Sequence, residues 1–152
     1  MKLFLSLFLA LALGACGAPP ATTATTAPLT TGIEIRDAWA APTPGGVTVS
    51  AGYLTIVNHT QADDHLIGVS STRANSVDVH TMRMADGVME MRPAGEIIIP
   101  AGGTLTLAPG GLHLMFMNVS PPFALGDTIP VTLHFEHGGD VDAPLPVRAP
   151  TP

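Results

Sequence analysis

The chain has 152 residues, with six basic and twelve acidic side chains and a formal net charge of −6 when histidine is neutral. Its one lysine is Lys2, so beyond the leader five arginines stand against twelve carboxylates, which argues against a nucleic-acid partner. The single cysteine, Cys16, leaves no partner for a disulfide and no thiolate in the rest of the chain for a metal.

Met1–Lys2 is a short basic start, and residues 3–13 are an apolar run of eleven residues interrupted only by Ser6. That run is too short to span a bilayer and suits the apolar region of a signal peptide. It ends in "LGAC", residues 13–16, which resembles a bacterial lipobox: leucine three before, a small residue just before, then Cys16. The resemblance implies cleavage after residue 15, lipidation of Cys16, export, and anchorage of the protein at a membrane surface. Residues 17–32, "GAPPATTATTAPLTTG", carry six Thr, four Ala and three Pro and no charge. They read as an extended tether. One folded domain is expected over 33–147, with a short tail at 148–152.

Within the domain the apolar pattern has period two. The segments are "IEI" (33–35), "AGYLTIVN" (51–58), "HLIGVS" (65–70), "SVDVH" (76–80), "GVMEM" (87–91), "EIII" (96–99), "TLTL" (104–107), "LHLMFMNV" (112–119) and "IPVTLHFEH" (129–137). Gly-Gly pairs at 45–46, 102–103, 110–111 and 138–139 punctuate them. Alternation of this kind predicts half-buried strands, and the turn spacing predicts an all-β protein, a Greek-key β-sandwich or barrel of seven to nine strands. Trp39 and Tyr53 are expected in the core; Asp63 and Asp64 read as turn residues.

Chemistry concentrates in one region. Apart from the initiator, all six methionines fall within residues 82–117: Met82, Met84, Met89, Met91, Met115 and Met117. Core-filling methionine would be scattered among the strands. Each segment spaces its residues at i, i+2: His80, Met82 and Met84; Met89 and Met91; His113, Met115 and Met117. "ADG" (85–87) predicts a hairpin between the first two segments. Two imidazoles and several thioethers are therefore expected to converge at one end of the domain. Thioether sulfur is soft and uncharged and suits Cu(I), whereas zinc prefers thiolate, imidazole and carboxylate. A blue-copper electron-transfer centre would need a cysteine thiolate.

His80, Met91, His113 and Met115 follow the spacing H-x10-M-x21-H-x-M. That spacing, with "DAWAAPTPGG", "AGYLTIVN", "GVMEMRP", "IPAGGTLTLAPGGLHLMF" and "VTLHFEHGG", resembles the periplasmic copper chaperones of the PCu(A)C family over nearly all of 33–147. The resemblance implies a cupredoxin-like barrel binding one Cu(I) through His80, Met91, His113 and Met115. It also implies delivery of copper to the dinuclear site of cytochrome c oxidase, directly or through a second chaperone. Some family members carry a copper-binding tail rich in His and Met; residues 138–152 here hold neither. Met82, Met84, Met89 and Met117 read as cover or packing, His59 and His65 as loop residues, and His134 and His137 as solvated surface near Glu136. A copper enzyme would need a positioned carboxylate, for which only Asp86 and Glu90 come near; a metal-free structural lipoprotein would leave the methionine clustering unexplained.

Overall fold

The structure, a computed structural model, describes residues 32–85 and 87–150. The expected signal peptide, Cys16 and nearly all of the tether lie outside the described residues. The described chain is all-β, with strands β1 (Ile33–Ala40), β2 (Val49–Asn58), β3 (Asp64–Ser70), β4 (Ser76–Ala85), β5 (Val88–Pro93) and β6 (Ile97–Ile99). They are followed by β7 (Thr104–Leu107), β8 (Leu112–Met117), β9 (Thr128–Ile129), β10 (Thr132–Phe135), β11 (Gly139–Asp142) and β12 (Leu145–Pro146). Among these residues no helix is long and apolar enough to cross a membrane.

Ten strands form one antiparallel, nearly closed sheet with the path β1-β2-β8-β4-β3-β10-β11; β5 branches from β4, β6 from β3 and β7 from β2, while β9 and β12 pair separately. The all-β barrel read from the sequence is therefore the fold, with more strands than the seven to nine expected. Pro130 accounts for one of the extra strands. It lacks the N–H a ladder needs and divides the expected 129–137 strand into β9 and β10. β11 and β12 lie beyond residue 137, where Val141, Ala143, Leu145 and Val147 alternate with exposed residues but Pro144 and Pro146 interrupt the strand signal; β11 forms by folding back on β10 through Gly138 and Gly139.

The core is the inward row of each strand. Leu54, Ile56, Leu114, Phe116, Ile129, Leu133 and Leu145 are fully buried. Gly52 lies in the same row because nothing larger fits: a Cβ there would sit 2.8 Å from both Leu145 Cδ2 and Phe116 Cε2. Trp39 is buried as expected, at 9% exposure, but packs apart from this inward row, and Tyr53 is half-buried on the outer row of β2. β1 carries an extra residue between Arg36 and Trp39, with Asp37 at φ 52°. The bulge flips the face of all that follows. Ala40 then takes the core position opposite Gly52, and Trp39 opposes Tyr53 on the outer face. There the two rings pack at 4.5 Å, and the Arg148 guanidinium covers Trp39 at 4.7 Å.

Asp64 is also more than a turn residue, being 2% exposed. Its Oδ1 accepts the backbone N–H groups of His65 (2.8 Å) and His137 (3.0 Å), and Oδ2 accepts that of Gly138 (2.8 Å). It thereby ties the β10–β11 turn to the start of β3. Burial pushes the Asp64 carboxyl up, but the three backbone donors and the nearby His137 outweigh it and hold it below its ordinary value. A carboxylate so held stabilises the fold above its unfolded pKa of about 3.9, and that stabilisation is lost as pH falls through the lowered folded value. Asp64→Ala is expected to cost about 3 kcal/mol in urea denaturation at neutral pH. The variant's stability should also fall less steeply than the parent's as pH drops below 4.

Candidate metal centre

β8 lies between β2 and β4, and its register with β4 builds the site. His80 stands directly opposite His113, Asp78 opposite Met115, and Ser76 opposite Met117. On the other side of β4, β5 sets Pro93 opposite His80, Met91 opposite Met82, and Met89 opposite Met84. Directly opposed residues share a face of a sheet, and diagonal neighbours remain within reach of long side chains. The expected hairpin and the expected faces are therefore both present: His80, His113 and all six methionines lie on one side, away from Leu114 and Phe116. His80 is central. It has His113 straight across on β8, and Met115 and Met91 are its diagonal neighbours on β8 and β5.

The four residues named by the spacing are thus brought together by register, although on unequal terms. His113 is 3% exposed, Met115 is half-buried and Met91 is 45% exposed. Met82, read from the sequence as cover, is as close in register: it is half-buried and lines the same cleft as Met91, His113 and Met115. That cleft, of about 410 Å3, has Tyr53 as part of its floor, and Pro42, Pro44 and Val47 from the segment after β1 as its rim. Partial burial in this wall pushes the Tyr53 hydroxyl above its ordinary pKa. Met117 lies at the far end of the β8 row, and Met84 and Met89 lie out on the hairpin, 64% and 63% exposed.

The two imidazoles are prepared differently from every other histidine in the chain. His59 contacts Glu34, His65 contacts Glu96, His134 contacts Asp140 and His137 contacts Asp64. Among the described residues His80 and His113 meet no carboxylate; they meet each other, ring centres 6.1 Å apart at 63°. Nδ1 of His113 donates to the Gly111 carbonyl at 3.1 Å. In the neutral ring this places the lone pair on Nε2, the second-shell arrangement that metal-binding histidines use. Nδ1 of His80 is buried with no hydrogen-bond partner among the described residues. An orphaned polar atom of this kind costs about 1–3 kcal/mol, a cost that a ligand would relieve. With metal–nitrogen bonds of about 2 Å, an ion shared by both rings would lie roughly 3 Å from each ring centre. The observed separation suits that arrangement.

Among the described residues no carboxylate lines the cleft. Glu90 lies on the opposite face of the hairpin, held by Arg83 at 3.3 Å and Arg92 at 3.1 Å. Asp86 lies outside the described residues. Asp78 shares the site's face, opposite Met115, and is exposed. No group of three His, Cys, Asp or Glu that could hold a metal occurs among the described residues. The donor set is therefore an imidazole pair among thioethers.

Comparisons with known proteins point the same way. The family model described as "Putative lipoprotein LpqE-like" matches residues 33–147. "Putative lipoprotein Lxx21020" of Leifsonia xyli subsp. xyli is 32% identical over 130 residues, covering 85% of this chain and 77% of that protein. The copper-bound PCuAC domain from PmoF2 superposes with a TM-score of 0.66 at 30% identity, over 78% of this chain and 93% of that one. The Cu(I) form of DR1885 from Deinococcus radiodurans superposes at 0.58 and 29% identity, over 84% of this chain and 83% of that one. The fold is the cupredoxin-like barrel of these domains.

The His113 arrangement has a direct spectroscopic consequence. In the metal-free protein at a pH where His113 is neutral, long-range proton–nitrogen correlation should report the Nδ1–H tautomer for His113. An Nε2–H pattern would mean that the Gly111 contact does not set the ring.

Proposed function

The chain belongs to the LpqE-like family, and from that premise we propose that it is an extracytoplasmic copper chaperone. It carries one Cu(I) on His80, Met91, His113 and Met115 and passes it to an acceptor by ligand exchange. The observation that supports this most is the His80–His113 pair: two facing imidazoles that contact no carboxylate among the described residues, one pinned as a donor and one with an orphaned buried nitrogen, on a face lined with thioethers. The copper-bound state of the PmoF2 domain and the Cu(I) state of DR1885 lend weight to copper as the cargo.

The chemistry of the set suits carrying. Imidazole and thioether are neutral donors, so Cu(I) brings the only net charge into the cleft, and thioethers suit its softness. Protons compete only for the two histidines, because sulfur in methionine does not titrate at biological pH. His113, almost fully buried on β8, holds the ion from the floor of the cleft. Met91, the most exposed of the four, is the ligand an incoming donor displaces first. No step requires turnover of a substrate, and the reading is that of a carrier rather than an enzyme.

The recipient on this reading is a copper-accepting protein at the same membrane, with the dinuclear copper site of cytochrome c oxidase or a second copper chaperone as the acceptor. Lipidation at Cys16 would hold the domain on the outer side of that membrane, with the Thr/Ala/Pro tether setting its reach.

Competition against a chromophoric Cu(I) chelator under reducing conditions tests the proposal. The parent protein should take up one tightly held Cu(I). Met115→Ala and His113→Ala should each weaken it about a hundredfold, or about 3 kcal/mol. If parent and variants fail alike to compete, the copper reading is wrong.

A further inference from the structure

The hairpin of β4 and β5 extends the thioether face beyond the four proposed ligands. Met82 and Met91 form one directly opposed pair, and Met84 and Met89 form the next pair toward the turn. Exposure rises along this ladder: Met82 is half-buried, Met91 is 45% exposed, and Met89 and Met84 reach 63% and 64%. The other face of the same hairpin is charged, with Glu90 bridging Arg83 and Arg92. Among the described residues the methionine face of this stretch carries no charge.

Packing does not explain the outer pair. A side chain two-thirds exposed gains little from burial, and the opposed surface of the hairpin shows that charged residues are accommodated here. Opposed residues on antiparallel strands hold their Cβ atoms about 5 Å apart. Two flexible three-bond side chains at that spacing can bring both sulfurs to one ion. Thioether is the donor type that favours Cu(I) over the divalent metals of an oxidising exterior.

We propose that Met84 and Met89 form a second, weaker Cu(I) site at the tip of the hairpin, through which the ion passes to and from the cleft by way of Met82 and Met91. The proposal rests on the copper reading above and deepens it. Each transfer is an exchange of ligands without redox change: bonds to the Met84 and Met89 sulfurs form as bonds further in break, and copper remains Cu(I) throughout. The outer site has two neutral sulfurs and no imidazole, so it binds less tightly than the cleft. An ion loaded from solution or a donor therefore runs inward, and an acceptor that docks on the tip meets the ion first at the most exposed sulfurs.

The experiment uses Ag(I), a redox-stable and diamagnetic probe of soft-metal sites, added to the full chain carrying Cys16→Ser in a mild detergent so that no thiol competes. Methionine methyl groups are labelled with carbon-13 and assigned by single Met→Leu substitutions. The first equivalent is expected to shift the Met91 and Met115 methyls, and the second to shift Met84 and Met89 together. Met84→Leu should abolish the Met89 shift while leaving the first equivalent unchanged. In a parallel measurement with Cu(I), Met84→Leu should slow release to a chelator about tenfold without altering the affinity of the cleft. If the first equivalent behaves as expected but Met84 and Met89 never move, or if Met89 still shifts in Met84→Leu, the tip site is refuted and the copper reading stands. If Met91 and Met115 do not respond, the copper reading fails and takes the ladder with it.

Discussion

One register carries the whole site: β4 against β8, with His80 opposite His113. The side-chain period of a strand is two, so a slip of one residue would bring Leu112 or Leu114 opposite His80 and turn the sulfur row toward the core. The fold guards against this from several directions. Val77, Val79 and Thr81 oppose Phe116, Leu114 and Leu112, so the same pairing that joins the imidazoles also joins core residues. β2 holds the other edge of β8, with Ser50 opposite Phe116 and Gly52 opposite Leu114. Gly52 leaves room for the Phe116 and Leu145 side chains. The metal-ready face is thus a by-product of core packing, fixed before any ion arrives, and a protein without a disulfide in the described domain relies on that packing for its rigidity.

The same logic explains the separation of residue types. Leu, Ile, Val and Phe fill the inward rows, where burial stabilises by area and shape. Methionine is kept to the outward rows of three strands, where its flexibility costs the core nothing. The outward face is not bare, however. The segment after β1 lays Pro42, Pro44 and Val47 over it, and Tyr53 closes it from β2, so His113 ends at 3% exposure although it points away from the core. A cleft results whose floor is imidazole and whose open side is sulfur. Desolvation of the floor strengthens whatever is bound there, while the open side leaves a path for exchange.

How much of this the sequence disclosed follows from which constraints are local. Alternation in β2, β8 and β10 is legible because each strand has one fully buried row, and the hairpin of β4 and β5 is legible from its turn residues. The i, i+2 spacing of His and Met then places them on shared faces with no knowledge of tertiary structure. Features set by distant pairing were not legible. The bulge after Arg36 is invisible in "IEIRDAWA", yet it turns Trp39 to the outer face, where it is buried against Tyr53, whose own outward place follows from the alternation of β2. Asp64 looks like a turn carboxylate until β10 and β11 bring the backbone donors of His137 and Gly138 to it. Met82 reads as cover because family spacing passes over it, and only the opposed pairing with Met91 reveals its equal access to the cleft. β11 and β12 do alternate, with Val141, Ala143, Leu145 and Val147 turned inward, but the prolines at 144 and 146 hide them as strands until β10 and β9 present edges to them.

A carrier faces a constraint that a storage site does not: every tenfold gain in affinity adds about 1.4 kcal/mol to what release must overcome. Burying all four ligands would tighten the site and slow its emptying. On the copper reading the structure divides these tasks along the sheet. The imidazole pair sits at the well-determined centre, where β4 is flanked by β5 and β8 and the tautomer of His113 is held by a backbone carbonyl. The thioethers run from there to the end of a hairpin that pairs only with β4 and whose sulfur-bearing face grows more exposed toward the turn. Affinity resides where the backbone is most constrained, and exchange where side chains are freest. An acceptor can then take the ion by replacing exposed sulfurs in turn, without the barrel opening and without disturbing the core that sets the histidine register.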